Sequence, residues 1–220
     1  MAYRRTENVI RRLHARHDAI VDAAREAAIT GGMAAVQIVP VAERAGVAAG
    51  TVYRYFPSKV ELIGALVESV AKRELDAVRR AADAAPGPLS AIAAAIASFG
   101  GRALNQRRLA WAVIAEPVDA DTDPARQEFR QALAAEMEGR IRAAIEGGQL
   151  PEQDASLAAA ALIGAVLEGL LGPLAPDGIE APSRAHEAVQ TLTLLALRGL
   201  GVPDAHARGL VVQTALPAHA

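Results

Sequence analysis

The sequence predicts an all-α protein in which a small N-terminal head precedes a larger helical body. Apolar residues make up 52% of the 220 residues, which is enough to bury a large core. Ala, the best helix former, supplies much of this apolar content, whereas aromatic residues make up only 3%. The apolar residues also recur at helical spacing. We expect about nine helices, with a head at 1–63, a body at 64–203 and a flexible C-terminal tail at 204–220.

Helix boundaries follow from Pro, Gly and capping residues. The first helix is expected from about Arg11 to Ile29, where the "TGG" of residues 30–32 stops it. Two short helices follow, at about Pro40–Ala45 and Thr51–Phe56, joined by a tight turn that begins with Gly46. Pro57 ends the third helix. Ser58 and Glu61 form a capping box for a fourth helix that reaches about Ala84. Breaks at Pro117 and at two later Pro- and Gly-containing stretches separate the remaining helices, which are expected at about 88–104, 107–116, 122–147, 153–174 and 183–200.

Several classes of protein are disfavoured by what the chain lacks. There is no Cys, and therefore no disulfide, thiolate metal site or Cys nucleophile. Searches for G-x-S-x-G, the P-loop, H-E-x-x-H and G-x-G-x-x-G find no match, so we do not expect an enzyme. His14 and His17 are spaced i, i+3, but no carboxylate or Cys cluster accompanies them, so we expect neither a metal nor another cofactor.

A membrane location is also disfavoured. Residues 157–175 are nearly all apolar, but they contain Glu168 and are rich in Ala and Gly. A buried helix is the better interpretation of this stretch. The N-terminus has no apolar stretch of the kind found in a secretory signal. We therefore expect a cytoplasmic protein.

Charge is distributed unevenly along the chain. Residues 1–60 hold nine Lys or Arg against five Asp or Glu, a net charge of +4, and residues 61–220 hold fourteen against twenty, a net charge of −6. This asymmetry indicates that the head meets a polyanion, although a split of this size also arises by chance.

The third helix carries the residue types that read DNA. At 100° per residue, Val52 and Phe56 share an inner side, and Thr51, Arg54 and Tyr55 share the opposite side. Arg suits guanine edges in the major groove, and aromatic or apolar carbons suit the thymine methyl group. Tyr53 at the flank and Lys59 on the next helix are placed for phosphates. Each residue also has a plainer interpretation: the tyrosines as core rings, Lys59 as a solvated side chain, and Arg54 as an ion-pair partner of Glu43 or Glu61.

The segment "VAERAGVAAGTVYRYFPSKVEL" (41–62) resembles the N-terminal signature of TetR-type transcriptional regulators. The resemblance implies a homodimer that binds a double-stranded DNA operator through two helix-turn-helix heads, and a body that binds a small-molecule effector. It assigns DNA contacts to Thr51, Tyr53, Arg54, Tyr55 and Lys59, and we expect the neighbouring Ala49 and Gly50 to contact DNA as well. Ala48 stands where the family usually has Ser, and Ile38 where it often has Thr. Loss of the hydroxyl at Ala48 removes a helix cap worth about 1 kcal/mol.

The basic residues before the third helix leave two possibilities. Arg16 and the other arginines of the N-terminal arm, Arg4, Arg5, Arg11 and Arg12, either lie along the DNA backbone or belong to a disordered tail.

The body is expected to form the dimer and to bind the effector. The resemblance places dimerisation in helices 153–174 and 183–200, whose small residues suit close packing, although a monomer core has the same composition. A mostly apolar pocket is expected to be lined by Phe99, Asn105, Trp111, Glu116 and Met137, and plain core packing is the alternative.

Taken together, we expect a repressor that a small apolar or aromatic effector releases from a palindromic operator. A DNA-binding architectural protein without an effector is the alternative. An all-α enzyme is a weaker one.

Overall fold

A computed structural model describes residues 2–116 and 123–215, with no account of the side chains of residues 2–8 and 123. These parts of the chain contain ten α-helices and no strand, which confirms the all-α prediction. The helices are α1 (Ala2–Gly31), α2 (Ile38–Arg44), α3 (Ala49–Tyr55), α4 (Lys59–Asp83), α5 (Pro88–Asn105), α6 (Arg107–Ile114), α7 (Asp123–Glu146), α8 (Ala155–Val166), α9 (Pro182–Gly199) and α10 (Asp204–Gln213). A 3₁₀ turn (Met33–Ala35) follows α1, and a π-helical segment (Leu167–Leu171) follows α8. The predicted break at Pro117 lies outside the described residues.

The head is built where the second half of α1 packs on α2 and on the start of α4. Its core consists of side chains buried from these helices and from α3, namely Ile20, Ala24, Val41, Val52, Phe56 and Leu62. Ser58 caps α4 as predicted, because its hydroxyl accepts the backbone N–H of Glu61 at 3.2 Å. The first helix begins at Ala2 rather than at Arg11, so the basic arm is part of α1. The side chains of Arg4 and Arg5 lie outside the described residues.

The body is organised around α5, which is buried along almost its whole length. It packs against α4, α7 and α9, and α8 packs against α7. A helix surrounded on all sides must be apolar on all sides, and the Ala-rich sequence of α5 satisfies this. The small side chains also allow close approach: a Cβ placed on Gly100 would lie 3.0 Å from a methyl carbon of Leu170.

A charged network joins α4 to α7 at the surface of the body. The Glu136 carboxylate accepts from Arg79 at 2.9 Å and from Arg140, whose Nη2 also donates to Asp83 at 2.7 Å. Burial alone would raise the pKa of Glu136, but the hydrogen bonds and charges of the two arginines outweigh it and hold that pKa below its usual range. The ionised form of Glu136 therefore stabilises the contact between α4 and α7.

The apolar stretch at 157–175 divides into two parts. The first part belongs to α8, and the second is the π-helical segment, which ends at Leu171 and is followed by the buried Gly172. The Glu168 carboxylate accepts the backbone N–H of Leu174 at 3.1 Å. Among the described residues, no helix is both long enough and apolar enough to cross a membrane.

The expectation of a flexible tail from residue 204 needs correction, because residues Asp204–Gln213 form α10. Gly201 and Pro203 stand before this helix. Ala207 and Val211, spaced i, i+4, are both buried and hold the helix on the body. The Asp204 carboxylate accepts from Arg198 and from Arg208, which ties the start of α10 to α9. Residues 216–220 lie outside the described part of the chain.

Candidate nucleic-acid interface and body cavity

The turn between α2 and α3 has the geometry that a helix-turn-helix requires. Gly46 takes the left-handed conformation at φ 65°, which favours glycine. The chain then reverses, with the N–H of Val47 donating to the carbonyl of Ala42 at 2.9 Å. The four-residue turn, residues 45–48, thereby fixes the angle between the two short helices.

The outer face of α3 is exposed, as the helical spacing predicts in part. Val52 and Phe56 are buried against the head, at 0% and 4% exposure, which confirms their inward orientation. Arg54 and Gly50 are exposed, and Tyr53 is 52% exposed. Among the described residues, neither Glu43 nor Glu61 forms an ion pair with Arg54. The guanidinium of Arg54 therefore projects from the head with its donors available to a groove.

Two residues predicted to face outward are less accessible than expected. Tyr55 and Thr51 are half-buried, and Tyr55 packs against the core of the head. For Tyr55 the reason is His17 of α1, whose ring centroid lies 5.0 Å from that of Phe56 and 6.4 Å from that of Tyr55. Because His17 packs on Tyr55, Tyr53 is the more exposed of the two rings. The helical spacing of α3 alone does not predict this contact, which comes from another helix. His17 thus packs on aromatic rings, and the described residues contain no group of three metal-ligating side chains.

The remaining DNA-contact candidates flank this face. Lys59 is exposed on the first turn of α4, Arg16 is exposed on α1, and Ala49 is half-buried. Ala48 is the N-cap residue of α3 and provides no side-chain hydrogen bond to the helix. The first turn of α3 therefore lacks the side-chain cap that Ser would supply at this position.

A cavity of about 220 Å³ lies where α1 and α4 meet α5, α6 and α7. Its apolar lining comes from Val70, Phe99, Ala103, Leu109, Ala110, Val113, Ile114 and Phe129. Its polar lining comes from Arg25, Arg73, Glu74, Arg102, Asn105 and Gln106. The volume is slightly below the usual range for ligand sites, about 300–1,000 Å³, and the mixed lining is typical of a site that orients its ligand.

The cavity brings together only two of the five residues predicted to bind an effector, Phe99 and Asn105. Met137 lines a smaller neighbouring cavity, which also includes Phe99. Trp111 is half-buried on α6 and does not line either of these cavities. The arginines of the polar side were not predicted, because they come from three helices that are far apart in the sequence.

Glu116 has a different place in the structure from the predicted one. Its carboxylate accepts the backbone N–H of Met33 at 3.0 Å, just after α1. Its carbonyl accepts from the buried Arg126, which also donates to the carbonyl of Ala112. Arg126 is 1% exposed. Glu116 therefore connects the end of α6 both to the head and to α7.

Arg102 and Glu74 form the strongest ion pair of the cavity wall. Both guanidinium contacts, from Nε and Nη2 to the two carboxylate oxygens, measure 2.8 Å. The hydrogen bond to Glu74 raises the pKa of Arg102 further, against the opposing effect of burial. Such a bidentate pair holds two planar groups in fixed orientation.

The head presents α3 on its surface, and it is joined to an all-helical body that contains a cavity. This arrangement is typical of helix-turn-helix regulators. Residues 20–66 match the family model of bacterial regulatory proteins, tetR family. The match lies within the head and agrees with the family resemblance of the sequence signature.

A similar repressor matches the same part of the chain. The head is 58% identical over 48 residues to the HTH-type transcriptional repressor KstR of Mycolicibacterium smegmatis. That match spans 22% of this chain and only 24% of the relative.

Solved structures share the fold over most of the chain. The structure of RolR in complex with resorcinol has a TM-score of 0.68 at 19% identity and covers 96% of this chain and 100% of its own. The structure of FadR from Bacillus subtilis in complex with stearoyl-CoA has a TM-score of 0.64 at 19% identity and covers 79% and 96%. At this identity the likeness concerns the fold.

Proposed function

We propose that the protein is a DNA-binding transcriptional repressor whose operator affinity is controlled by a small-molecule effector. The observation that carries this proposal is the exposed face of α3, where Arg54 and Tyr53 project from a head of the tetR family. Arg54 is placed to read a base edge in the major groove. Tyr53, Lys59 and Arg16 surround it with a hydroxyl and two cations suited to phosphates. In this division of labour residues 1–63 bind DNA and residues 64–203 respond to the effector.

A homodimer is the second part of the proposal. The surface of α8 carries an exposed stripe of apolar and small residues at helical spacing, namely Leu157, Ala160, Ala161, Gly164 and Ala165. Leu195 of α9 is also exposed, at 59%. An apolar stripe of this kind on a regular helix favours burial against another copy. Two heads related by a two-fold axis would then bind a palindromic operator.

The effector is supported by the position of the cavity. Its lining includes Arg25 of the head helix α1 and Leu109 and Val113 of α6, so a ligand would contact both parts of the molecule. RolR and FadR hold resorcinol and stearoyl-CoA on the same fold. An effector with an apolar body suits the apolar lining of this cavity.

Two other functions have less support. A DNA-binding architectural protein has no use for a cavity that spans head and body. An all-α enzyme would need reactive groups converging on the cavity, and its described lining holds arginines, one carboxylate, amides and apolar side chains.

Binding to the DNA upstream of the protein's own gene tests the proposal. The purified full-length protein should bind one labelled duplex from that region in a fluorescence-anisotropy titration, and a palindrome within it should compete. A scrambled palindrome should compete at least tenfold less well. Uniform weak binding to all duplexes would refute the repressor proposal and would favour the architectural alternative.

A further inference from the structure

The polar lining of the 220 Å³ cavity is strongly cationic. Three arginines, Arg25, Arg73 and Arg102, line it with a single carboxylate, that of Glu74. Because Glu74 is held by both contacts to Arg102, that pair is neutral as a unit. The remaining positive charge belongs to Arg25 of α1 and Arg73 of α4.

These two arginines share one carboxylate outside the cavity lining. Asp22 of α1 lies 3.7 Å from Nε of Arg25 and 3.4 Å from Nη2 of Arg73. Both contacts are longer than the 2.7–2.9 Å of a well-formed charge-assisted hydrogen bond. Asp22 is also half-exposed, at 51% of its side chain, so water weakens the attraction. Arg25 has a closer contact, at 2.9 Å, to the equally exposed Glu26.

The Asp22–Arg73 contact is also a link between the head and the body. Asp22 belongs to α1, which is part of the head, and Arg73 to the middle of α4, which follows α3 in the chain. An anion that binds Arg73 from the cavity side competes with Asp22 for the same guanidinium. Such competition would change how α1 is held against α4.

We propose that the effector of this protein is a small amphipathic carboxylate, and that its anionic group pairs with Arg25 and Arg73 in place of Asp22. The apolar body of the ligand then lies along Phe99, Val113 and Phe129. This inference rests on the proposed function for the existence of an effector, and it adds the chemical class and the point at which binding reaches the head.

A neutral ligand of the same shape fits this cavity less well. Filling it removes water from the cavity side of two arginines, of which Arg25 is 25% exposed and Arg73 is 53% exposed. The carboxylates that contact them among the described residues, Asp22 and Glu26, are each about half-exposed. Removing water from a charged group without supplying a partner is unfavourable, whereas a carboxylate supplies oxygen acceptors for both forks. The cavity therefore discriminates by charge at one end and by shape at the other.

Calorimetric titration with two isosteric pairs tests the chemical class. The probes are 2-naphthoate with 2-naphthamide, and octanoate with octanamide. At least one acid should bind at least tenfold more tightly than its amide. Arg25→Gln and Arg73→Gln should each weaken the acid at least fivefold and leave the amide unchanged. Arg80→Gln, an exposed arginine on the same helix α4, is the matched control and should change neither.

Asp22→Asn tests the exchange of partners. Removing the competing charge should strengthen acid binding several-fold. If both acids bind no better than their amides, or if the two cavity arginines can be replaced without effect, the anionic class is refuted. If Asp22→Asn leaves acid binding unchanged, the exchange of partners is refuted.

DNA anisotropy separates this inference from the proposed function. In the native protein the acid should weaken operator binding, and in Asp22→Asn this response should shrink because the head link is already weakened by the loss of its charge. Acid binding by a protein that fails to bind any duplex would refute the repressor proposal and leave the ligand class standing. Operator binding by a protein that binds the acid and the amide equally would refute the ligand class and leave the repressor proposal standing.

Discussion

The contact between Glu116 and Met33 offers a direct measure of how firmly the body holds the head. The Glu116 carboxylate accepts the backbone N–H of Met33 at 3.0 Å across 83 positions of sequence. Met33 is 4% exposed, so few waters can replace the lost acceptor. Replacing Glu116 by Ala leaves this backbone donor without its partner.

The magnitude follows from the charge and burial of the pair. Hydrogen bonds to charged groups contribute about 1.5–3 kcal/mol net, and a buried donor without a partner is penalised by about 1–3 kcal/mol. Glu116 itself is half-buried, which moves the expected loss to the lower part of that range, about 1–2 kcal/mol. Glu116→Gln keeps a carbonyl oxygen as acceptor and should lose about half as much.

Urea unfolding, followed by far-ultraviolet circular dichroism, measures the difference. With a slope of about 2 kcal/mol per molar urea, Glu116→Ala should lower the midpoint by about 0.5–1 M. Glu128→Ala, which removes an exposed carboxylate from α7, is the control and should lie within about 0.2 M of the native protein. If Glu116→Ala and the control unfold at the same midpoint, the contact does not hold the head.

Three further predictions address the DNA face, the dimer and the charged network. Arg54→Ala should relax discrimination at one base position by about 1–3 kcal/mol. Lys59→Ala should instead weaken binding to all duplexes equally and reduce the slope of log affinity against log salt concentration by about one. Anisotropy titrations at several salt concentrations distinguish the two effects. Ala161→Glu should convert the proposed dimer to a monomer in light scattering, while Ala135→Glu, at an exposed position of α7, should not. Because the pKa of Glu136 is lowered in the folded protein, its contribution to stability is present above the ordinary Glu pKa of about 4.3 and is lost as pH falls below it. In Glu136→Gln the melting temperature should therefore depend less on pH between about pH 5 and 3.

Local signals account for the parts of the structure that the sequence predicted well. Pro57 and Ser58 mark the boundary of α3 and α4, and the capping bond from Glu61 forms as its spacing indicates. Gly46 takes the left-handed conformation expected after a short helix. The inner face of α3 was also predictable, because Val52 and Phe56 are one helical turn apart and both are apolar.

Contacts between distant helices account for the parts that were missed. Tyr55 is covered by His17, which stands 38 positions earlier and carries no signal of that packing in the sequence. Glu116 was assigned to a pocket from its position near Trp111, but its carboxylate turns to the backbone of the head. The cationic side of the cavity needs α1, α4 and α5 together, and helical periodicity fixes which face a residue occupies without fixing the helix it meets.

The cavity and the Glu116 contact place the head under two separate constraints. Asp22 and Arg73 hold the middle of α1 against α4, and Glu116 holds the backbone beyond its end against α6. The cavity is lined by residues of all three helices.

A ligand in the cavity changes DNA affinity only if it binds the DNA-competent and released arrangements with different free energies. By reciprocity, operator DNA must then weaken ligand binding by the same factor. A ligand that contacted α6 alone could act through Glu116, whereas an anion at Arg73 acts on the loosely held contact. The weaker of the two links is the one that a ligand can exchange without first breaking a well-formed hydrogen bond.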